Sequence, residues 1–551
     1  MRPSIENDQD AEHIIPSSSS PILPWCWILL CGTLSVIAFL AAGRTPGIFD
    51  ADMGSETVLA KALIDSGHFF VSPDFFYSTE AQVVGHHLLL EIGIMLFPHD
   101  WMLARVFSLV AIMCGLVASF RFCAVSLDIW KRSRWVAGIL LLPFSIIYRN
   151  FFLYGMFYSI RLCVYFVGFG LCLRCRTSRV PRAIMLISAA GLGFAFGISG
   201  FRMLLQCFLP LLIAFACTCI AEASGDTLKD RLRHVPQSDR RSLRLAGIMI
   251  LSSVVGTLVN ALVISKMVVF QHWGSISLQE IVPSRIIDFA TAGFLQTWGN
   301  VGVEKALSTV GIASLCGIVT SLIVAASAIA CIRRWSSITS AQRSYILFAL
   351  LSFLVSLLMY YLGDQQRPRY LTTAVILFVL LVPVAIGFIR QDTLLRSLVA
   401  IVFACFVLVQ TIGYAIWPAI AHIKSGEPFD EEKVVDWLRE EGLSAGYATF
   451  WNCNNMVEIS NGTLDIWCLV DGSWQYRGDW WSLEPLEWMA ARRHSEEEPQ
   501  GRVFLLLTQE ECDQAESAGI DMGEPATAIG DYRVFTYGST HELRNACGVP
   551  E

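Results

Sequence analysis

Leu34-Ser-Val-Ile-Ala-Phe-Leu-Ala-Ala-Gly43-Arg-Thr-Pro-Gly47-Ile-Phe-Asp50-Ala-Asp52-Met-Gly-Ser-Glu56 carries the chain from an unbroken apolar run straight into three acids. The run starts at Ile22, so 22–43 can cross a hydrocarbon core of about 30 Å as one helix. It is too long, and lacks the basic flank, for a cleavable leader. Further apolar runs follow at 101–125, 135–148, 157–173, 183–198, 203–221, 245–265, 309–332, 344–362, 371–389 and 397–420. Eleven spans are therefore expected, an odd number that sets the two termini on opposite sides of a membrane.

Composition points the same way. Of 551 residues, 54% are apolar or aromatic and 16% are charged, which excludes a soluble enzyme, a disordered chain and a secreted disulfide scaffold. The net charge of −7 conceals a division. Residues 422–551 hold 25 acids against 9 Lys and Arg, whereas 1–421 hold 22 against 31. An acidic terminal part excludes nucleic acid as a partner, because displacing phosphate counterions needs positive surface. The expected architecture is an all-α polytopic membrane bundle with a C-terminal extracytoplasmic α/β domain. Its parts are a disordered cytoplasmic tail (1–21), the membrane domain (22–421) and the external domain (422–551).

Charge orients the bundle. With a cytoplasmic N-terminus, the inner loops 126–134, 174–182, 224–244, 333–343 and 390–396 carry 18 Lys and Arg. The longer outer loops carry 9, as the positive-inside rule requires. Counting 83–97 as a span would invert every later loop, and that stretch contains His86, His87 and Glu91. It is expected to be an amphipathic or re-entrant helix in the first outer loop (44–100), with 57–70 amphipathic in the same loop. A second outer loop covers 266–306, with an interfacial helix over 285–298.

Asp50 and Asp52 stand at the membrane–water boundary. A carboxylate there can take a proton from an acceptor hydroxyl or hold a divalent cation against a phosphate. It can equally cap the helix that follows. Ionisable groups at span ends are costly in lipid, which singles out Arg202, Arg367 and Arg369, with Arg149 and Arg161 behind them. Adjacent histidines on a helix diverge by about 100°, so His86 and His87 are not expected to share a metal, and a surface-anchoring role is expected for them.

The acidic stretch, followed by Ala60-Lys-Ala-Leu63-Ile-Asp-Ser66-Gly67, resembles the first outer loop of the GT-C superfamily of integral-membrane glycosyltransferases. Protein O-mannosyltransferases and aminoarabinose transferases belong to it. Leu96-Phe97-Pro-His-Asp-Trp-Met-Leu-Ala104-Arg105-Val-Phe-Ser108 resembles the start of that family's second span, and Arg367-Pro-Arg369-Tyr370-Leu371 resembles the outer start of a late one. Asp52 falls where the family's leading acid stands; Met53 replaces the Glu that usually follows, and 148–155 lacks the family's second acid.

The resemblance implies a sugar on a polyprenyl phosphate, moved at the outer membrane face to an envelope glycan, lipid or protein. It implies Asp52 as catalytic base or metal ligand (Mg or Mn), assisted by Asp50. Arg202, Arg369, Arg367, Tyr370, His86 and Glu56 are the implied substrate-binding set. A transporter or flippase of lipid-linked glycans, and a non-catalytic scaffold with this fold, are the alternatives.

In the terminal part, helices are expected over 430–441 and 509–518, and strands over 447–451, 463–470, 502–507 and 533–537. Its aromatics Trp474, Tyr476, Trp480, Trp481 and Trp488 suit either a sugar or the membrane face. Cys453, Cys468, Cys512 and Cys547 form an even set, and Cys453 with Cys468 is the first candidate disulfide.

Overall fold

The computed structural model describes residues 22–43, 48–73, 75–77, 83–176, 181–270, 282–303, 305–362, 367–389, 393–470, 482–485, 499–517 and 520–547. Trp474, Tyr476, Trp480, Trp481 and Trp488 lie outside them. Eight helices are long and apolar enough to cross a membrane: Leu23–Ala42 (α1), Trp101–Ser126, Leu204–Glu222, Gln237–Lys266, Thr309–Arg333, Ser340–Tyr361, Pro368–Ile386 and Leu394–Ser425. They become nine if Ile146–Tyr154 and Ser159–Arg174, which meet at 80°, count as one broken span. The chain is a multi-pass membrane protein, but the eleven continuous spans expected are not reached by this measure among the described residues.

The physical reasons are local. The run 135–148 is not one helix: Trp130–Ile139 ends, and a turn containing Pro143 follows. Proline has no N–H to donate, and Ser145 then accepts from the Tyr148 N–H at 3.0 Å to start a new segment. That segment becomes π-helical over Arg149–Tyr154 and breaks before Ser159. Met156 sits in the break with φ of 60°, a left-handed conformation that costs a side-chain-bearing residue about 1 kcal/mol or more. Arg182–Gly197 is apolar but has only 16 residues.

Between the first two long spans lie α2 (Ala51–Ser66) and α3 (His87–Leu96), followed directly by α4 (Trp101–Ser126). α3 buries His87, Leu90, Glu91 and Ile94 and exposes Ile92, Met95 and Leu96, so its outward side is apolar. Eleven of the 16 residues of α2 are buried. In its second half Val58, Leu59, Ala62 and Leu63 are buried, while the paired Lys61 and Asp65 are 38% and 47% exposed. A two-residue parallel pairing of β1 (Phe76–Tyr77) with β2 (Val269–Phe270) joins the segment between the first two long helices to the segment after Gln237–Lys266. Trp298, expected at the interface, is instead buried and stacked on Phe144 with ring centroids 5.5 Å apart.

The C-terminal region is a mixed α/β layer. Six strands, β3 (Ala445–Thr449), β4 (Asp465–Val470), β5 (Ser482–Pro485), β6 (Val503–Thr508), β7 (Thr527–Ile529) and β8 (Tyr532–Tyr537), run in the order β5-β4-β3-β6-β8-β7. β3 pairs in parallel with β4 and β6, and the outer pairings are antiparallel. The expected strands and the helices Asp430–Glu440 and Gln509–Ser517 are present within a few residues. The helix Phe450–Ile459 was not expected; it begins where strand β3 was read as continuing. The described cysteines are free thiols, so the anticipated Cys453–Cys468 bridge is not formed, and Cys453 Sγ donates to the Ile466 carbonyl at 3.1 Å.

Glycine sets the spacing of the first outer loop against the second long span. A Cβ on Gly93 of α3 would lie 2.6 Å from the Ala104 carbonyl oxygen of α4. Gly93→Val is therefore expected to force the two helices apart and cost about 1–3 kcal/mol. A lowered midpoint of thermal unfolding in detergent, against wild type, checks it.

Candidate active site

α2 begins with its own acids. Asp50, in extended conformation, accepts the Met53 N–H at 3.0 Å and caps the helix. Asp52 lies in the first turn, beside the positive end of the helix dipole. Opposite it the chain returns more than 300 residues later. The turn Pro368–Leu371 is fixed by the helix Pro283–Thr297, whose Gly293 lets the Leu371 side chain come within 2.5 Å of where a Cβ would stand. This places an Arg369 Nη2 nitrogen 3.8 Å from an Asp52 carboxylate oxygen, with both side chains about one-fifth exposed. The Arg369 guanidinium lies over the Phe151 ring at 4.6 Å and over Tyr370 at 5.3 Å, and its Nε has no hydrogen-bond partner among the described residues. Tyr370 stacks on Tyr360 at 4.6 Å, and Arg367 is exposed beside it.

The electrostatics follow from this crowding. Burial, then the charge of Asp50, pushes the Asp52 carboxyl up to about 6, against the lowering pull of Arg369. Asp50 is also raised, chiefly by burial, against the Met53 N–H and the Arg369 charge.

One turn further along α2, Glu56 is buried with two imidazoles against it. His86 Nε2 stands 3.8 Å and His87 Nδ1 3.6 Å from the same Oε2. Both histidines are almost wholly buried, so they do not anchor a surface. His86 is the N-cap of α3 and His87 its first residue, and different ring nitrogens of the two approach the same Glu56 oxygen. Burial alone would raise Glu56; contact with His86, His87 and Arg105 outweighs it and holds this carboxyl below its ordinary range. Burial pushes His86 down to about 4, so it is neutral at pH 7 and can donate or accept a hydrogen bond.

His86 also lines a small cleft together with Phe157, Arg161, Ser199 and Arg202. A chain of contacts connects this cleft to the acid. His86 meets Phe157 at 5.1 Å, Phe157 meets Phe151 at 6.3 Å, and Phe151 carries Arg369. The broken helix thus supplies the aromatic wall between two cationic positions. Asp50, Asp52, Glu56, His86, Arg202, Arg367, Arg369 and Tyr370 fall in one neighbourhood. Arg149 does not join them: it is buried, with Nε bonded to Asn150 at 2.8 Å and Nη1 to the Tyr414 carbonyl.

Sequence reasoning missed the aromatic wall, for which a helix break was the only signal, and it missed Glu458. That residue is the sole charge between Gly442 and Leu464, which is a usable sign of a buried partner.

A divalent cation needs several oxygen or nitrogen ligands around one point. Among the described residues no three His, Cys, Asp or Glu side chains converge so. Asp50 is spent on its cap and Asp52 faces a guanidinium. The described residues at Asp52 do not fit a metal, and no step is derived through one.

No protein-family model matches the sequence, and no curated protein matches it. Solved structures do. Aminoarabinose transferase ArnT from Cupriavidus metallidurans in the apo state matches with a TM-score of 0.56 at 12% identity, covering 96% of this chain and 100% of that one. The same protein bound to undecaprenyl phosphate matches with a TM-score of 0.51 at 12% identity, over 93% and 98% of the two chains. Archaeal oligosaccharyltransferase AglB from Archaeoglobus fulgidus, in complex with an inhibitory peptide and a dolichol-phosphate, matches with a TM-score of 0.39 at 11% identity, over 80% and 64%. The chain shares the fold of the Cupriavidus metallidurans ArnT structures over nearly its whole length.

Proposed function

We propose that this chain transfers a sugar from a polyprenyl-phosphate donor to an envelope glycan, lipid or protein. The observation that carries the reading is the meeting of Asp52 with Arg369, a base beside a cation at the foot of an aromatic wall. In glycosyl transfer the acceptor hydroxyl loses a proton as its oxygen attacks the sugar C1, and the lipid phosphate leaves with the bonding pair. Asp52 is the group that takes the proton, and a carboxyl near 6 is well matched to that task at neutral pH. Asp50 assists by capping α2 and by raising its neighbour. Arg369 and Arg202, with the exposed Arg367, receive the phosphate charge, since guanidinium donors stabilise a leaving anion electrostatically. Tyr370, His86 and Glu56 shape the pocket, His86 as a neutral hydrogen-bonding group.

The undecaprenyl phosphate carried by a protein of the same fold supports a lipid-phosphate donor. We place the N-terminus in the cytoplasm and 422–551, as a separate domain, outside. The arginines of loops 174–182 and 224–244 favour that orientation.

Asp52→Asn in purified, lipid-reconstituted protein is expected to lower turnover at least 100-fold, assayed as undecaprenyl phosphate released from a panel of undecaprenyl-phosphate sugars. Unchanged release with normal folding would overturn the role. Arg202→Ala is expected to raise the KM for the donor more than it lowers kcat.

The pH dependence has a definite sign. Asp52 serves as a base only when ionised, so kcat is expected to fall about tenfold per pH unit below about 6. Arg369 favours the ionised form, so Arg369→Gln is expected to move that limb upward. A profile flat from pH 4.5 to 8 contradicts the assignment.

A further inference from the structure

We propose that Glu458 is a positioning residue for this site: by holding the Arg105 guanidinium it fixes the start of α2, and with it the Asp52 carboxylate. The inference rests on the reading of Asp52 as the reacting base.

The arrangement spans four parts of the chain. Glu458 lies near the end of the helix Phe450–Ile459, in the region that carries the sheet, and Arg105 lies in the first turns of α4. The two form a forked pair, Nε to Oε1 and Nη2 to Oε2, each at 2.6 Å, with both side chains almost wholly buried. The same Nη2 donates to the Met53 carbonyl at 2.9 Å and to the Thr57 hydroxyl at 2.7 Å. Met53 is the residue next to Asp52. The Phe49 ring lies against the guanidinium at 5.3 Å.

Backbone contact completes the grip. A Cβ on Gly54 would sit 2.5 Å from the Asn454 carbonyl, so α2 and the docking helix touch along their main chains. Asn461 Oδ1 accepts the Trp101 N–H at 2.9 Å and ties the outer end of α4 to the same region. Without the carboxylate, the guanidinium loses the partner that holds its plane and aims Nη2 at two groups of α2. A displacement of about 1 Å in a reacting group is enough to cost a large factor in rate.

The test uses the full chain in lipid nanodiscs and compares Glu458→Gln, Glu458→Asp and Gly54→Ala with wild type. Hydrogen–deuterium exchange reads α2 directly. Amides of 51–57 are expected to exchange at least tenfold faster in Glu458→Gln and Gly54→Ala, with the remote span 309–333 unchanged. With the undecaprenyl-phosphate sugar that wild type turns over, kcat is expected to fall at least tenfold and KM to stay within twofold. Glu458→Asp is expected to recover part of both, while Arg439→Gln, at an exposed pair in the same region, alters neither.

Wild-type exchange at 51–57 in the variants overturns the proposal, and so does faster exchange with kcat unchanged. If Glu458→Gln does not fold, Arg105→Met combined with Glu458→Met buries no unpaired charge and takes the same two measurements. If wild type turns over no donor, the glycosyltransferase reading fails, and the exchange experiment still decides whether Glu458 holds α2.

Discussion

A guanidinium with almost no contact to water sits where α2, α4 and the C-terminal region converge. Burying an arginine is unfavourable by several kcal/mol unless its charge and its N–H groups are all met. Here Glu458 meets the charge, Met53 and Thr57 share the two N–H groups of Nη2 with it, and Nη1 reaches the Tyr154 carbonyl at 3.5 Å. Removing one member leaves the other buried and unpaired, at a cost of about 3–5 kcal/mol. The pair therefore makes the C-terminal region part of the membrane domain's working surface. Because α2 starts at this junction, the acid that carries the proposed chemistry inherits its position from it.

The second constraint is electrostatic. Asp50, Asp52 and Glu56 crowd three carboxylates into the first turns of one helix, which repel one another and would each prefer a proton when buried. The structure separates their circumstances. Asp50 is occupied by a backbone N–H, Glu56 by two imidazoles, and Asp52 is left facing a guanidinium across 3.8 Å. Like groups with unlike surroundings suit unlike roles: Asp50 and Asp52 are both raised, but only Asp50 is engaged in capping the helix, which leaves Asp52 as the one suited to the proposed proton transfer. The broken helix serves the same end: its π-helical turn and 80° bend interrupt a membrane span where Phe151 and Phe157 must turn toward the cations.

Much of this was legible in the sequence. The apolar runs marked most of the spans, since a run able to bury itself in hydrocarbon has few other uses. The pattern in 430–537 marked four of the six strands, β3, β4, β6 and β8, and left β5 and β7 unread. Asp52, Arg202 and Arg369 stood out because a charge beside a membrane has an energetic cost that some partner must offset. Two features were misread. The run 135–148 was apolar enough to span, yet Pro143 and the capping Ser145, both within it, divide it. The histidine pair looked like a surface anchor, yet both rings are buried against Glu56, a partner on another helix that no local signal announces.

What the sequence by itself determined was the solvent of each segment: hydrocarbon for the long apolar runs, water for the acidic end, and the boundary for the residues between. Those preferences are local, because transfer free energy depends on composition. What only the tertiary structure decided was the pairing of charges. Asp52 with Arg369 and Arg105 with Glu458 are each separated by more than 300 residues. Coulomb attraction and hydrogen-bond geometry depend on distance in space, which no periodicity along the chain encodes.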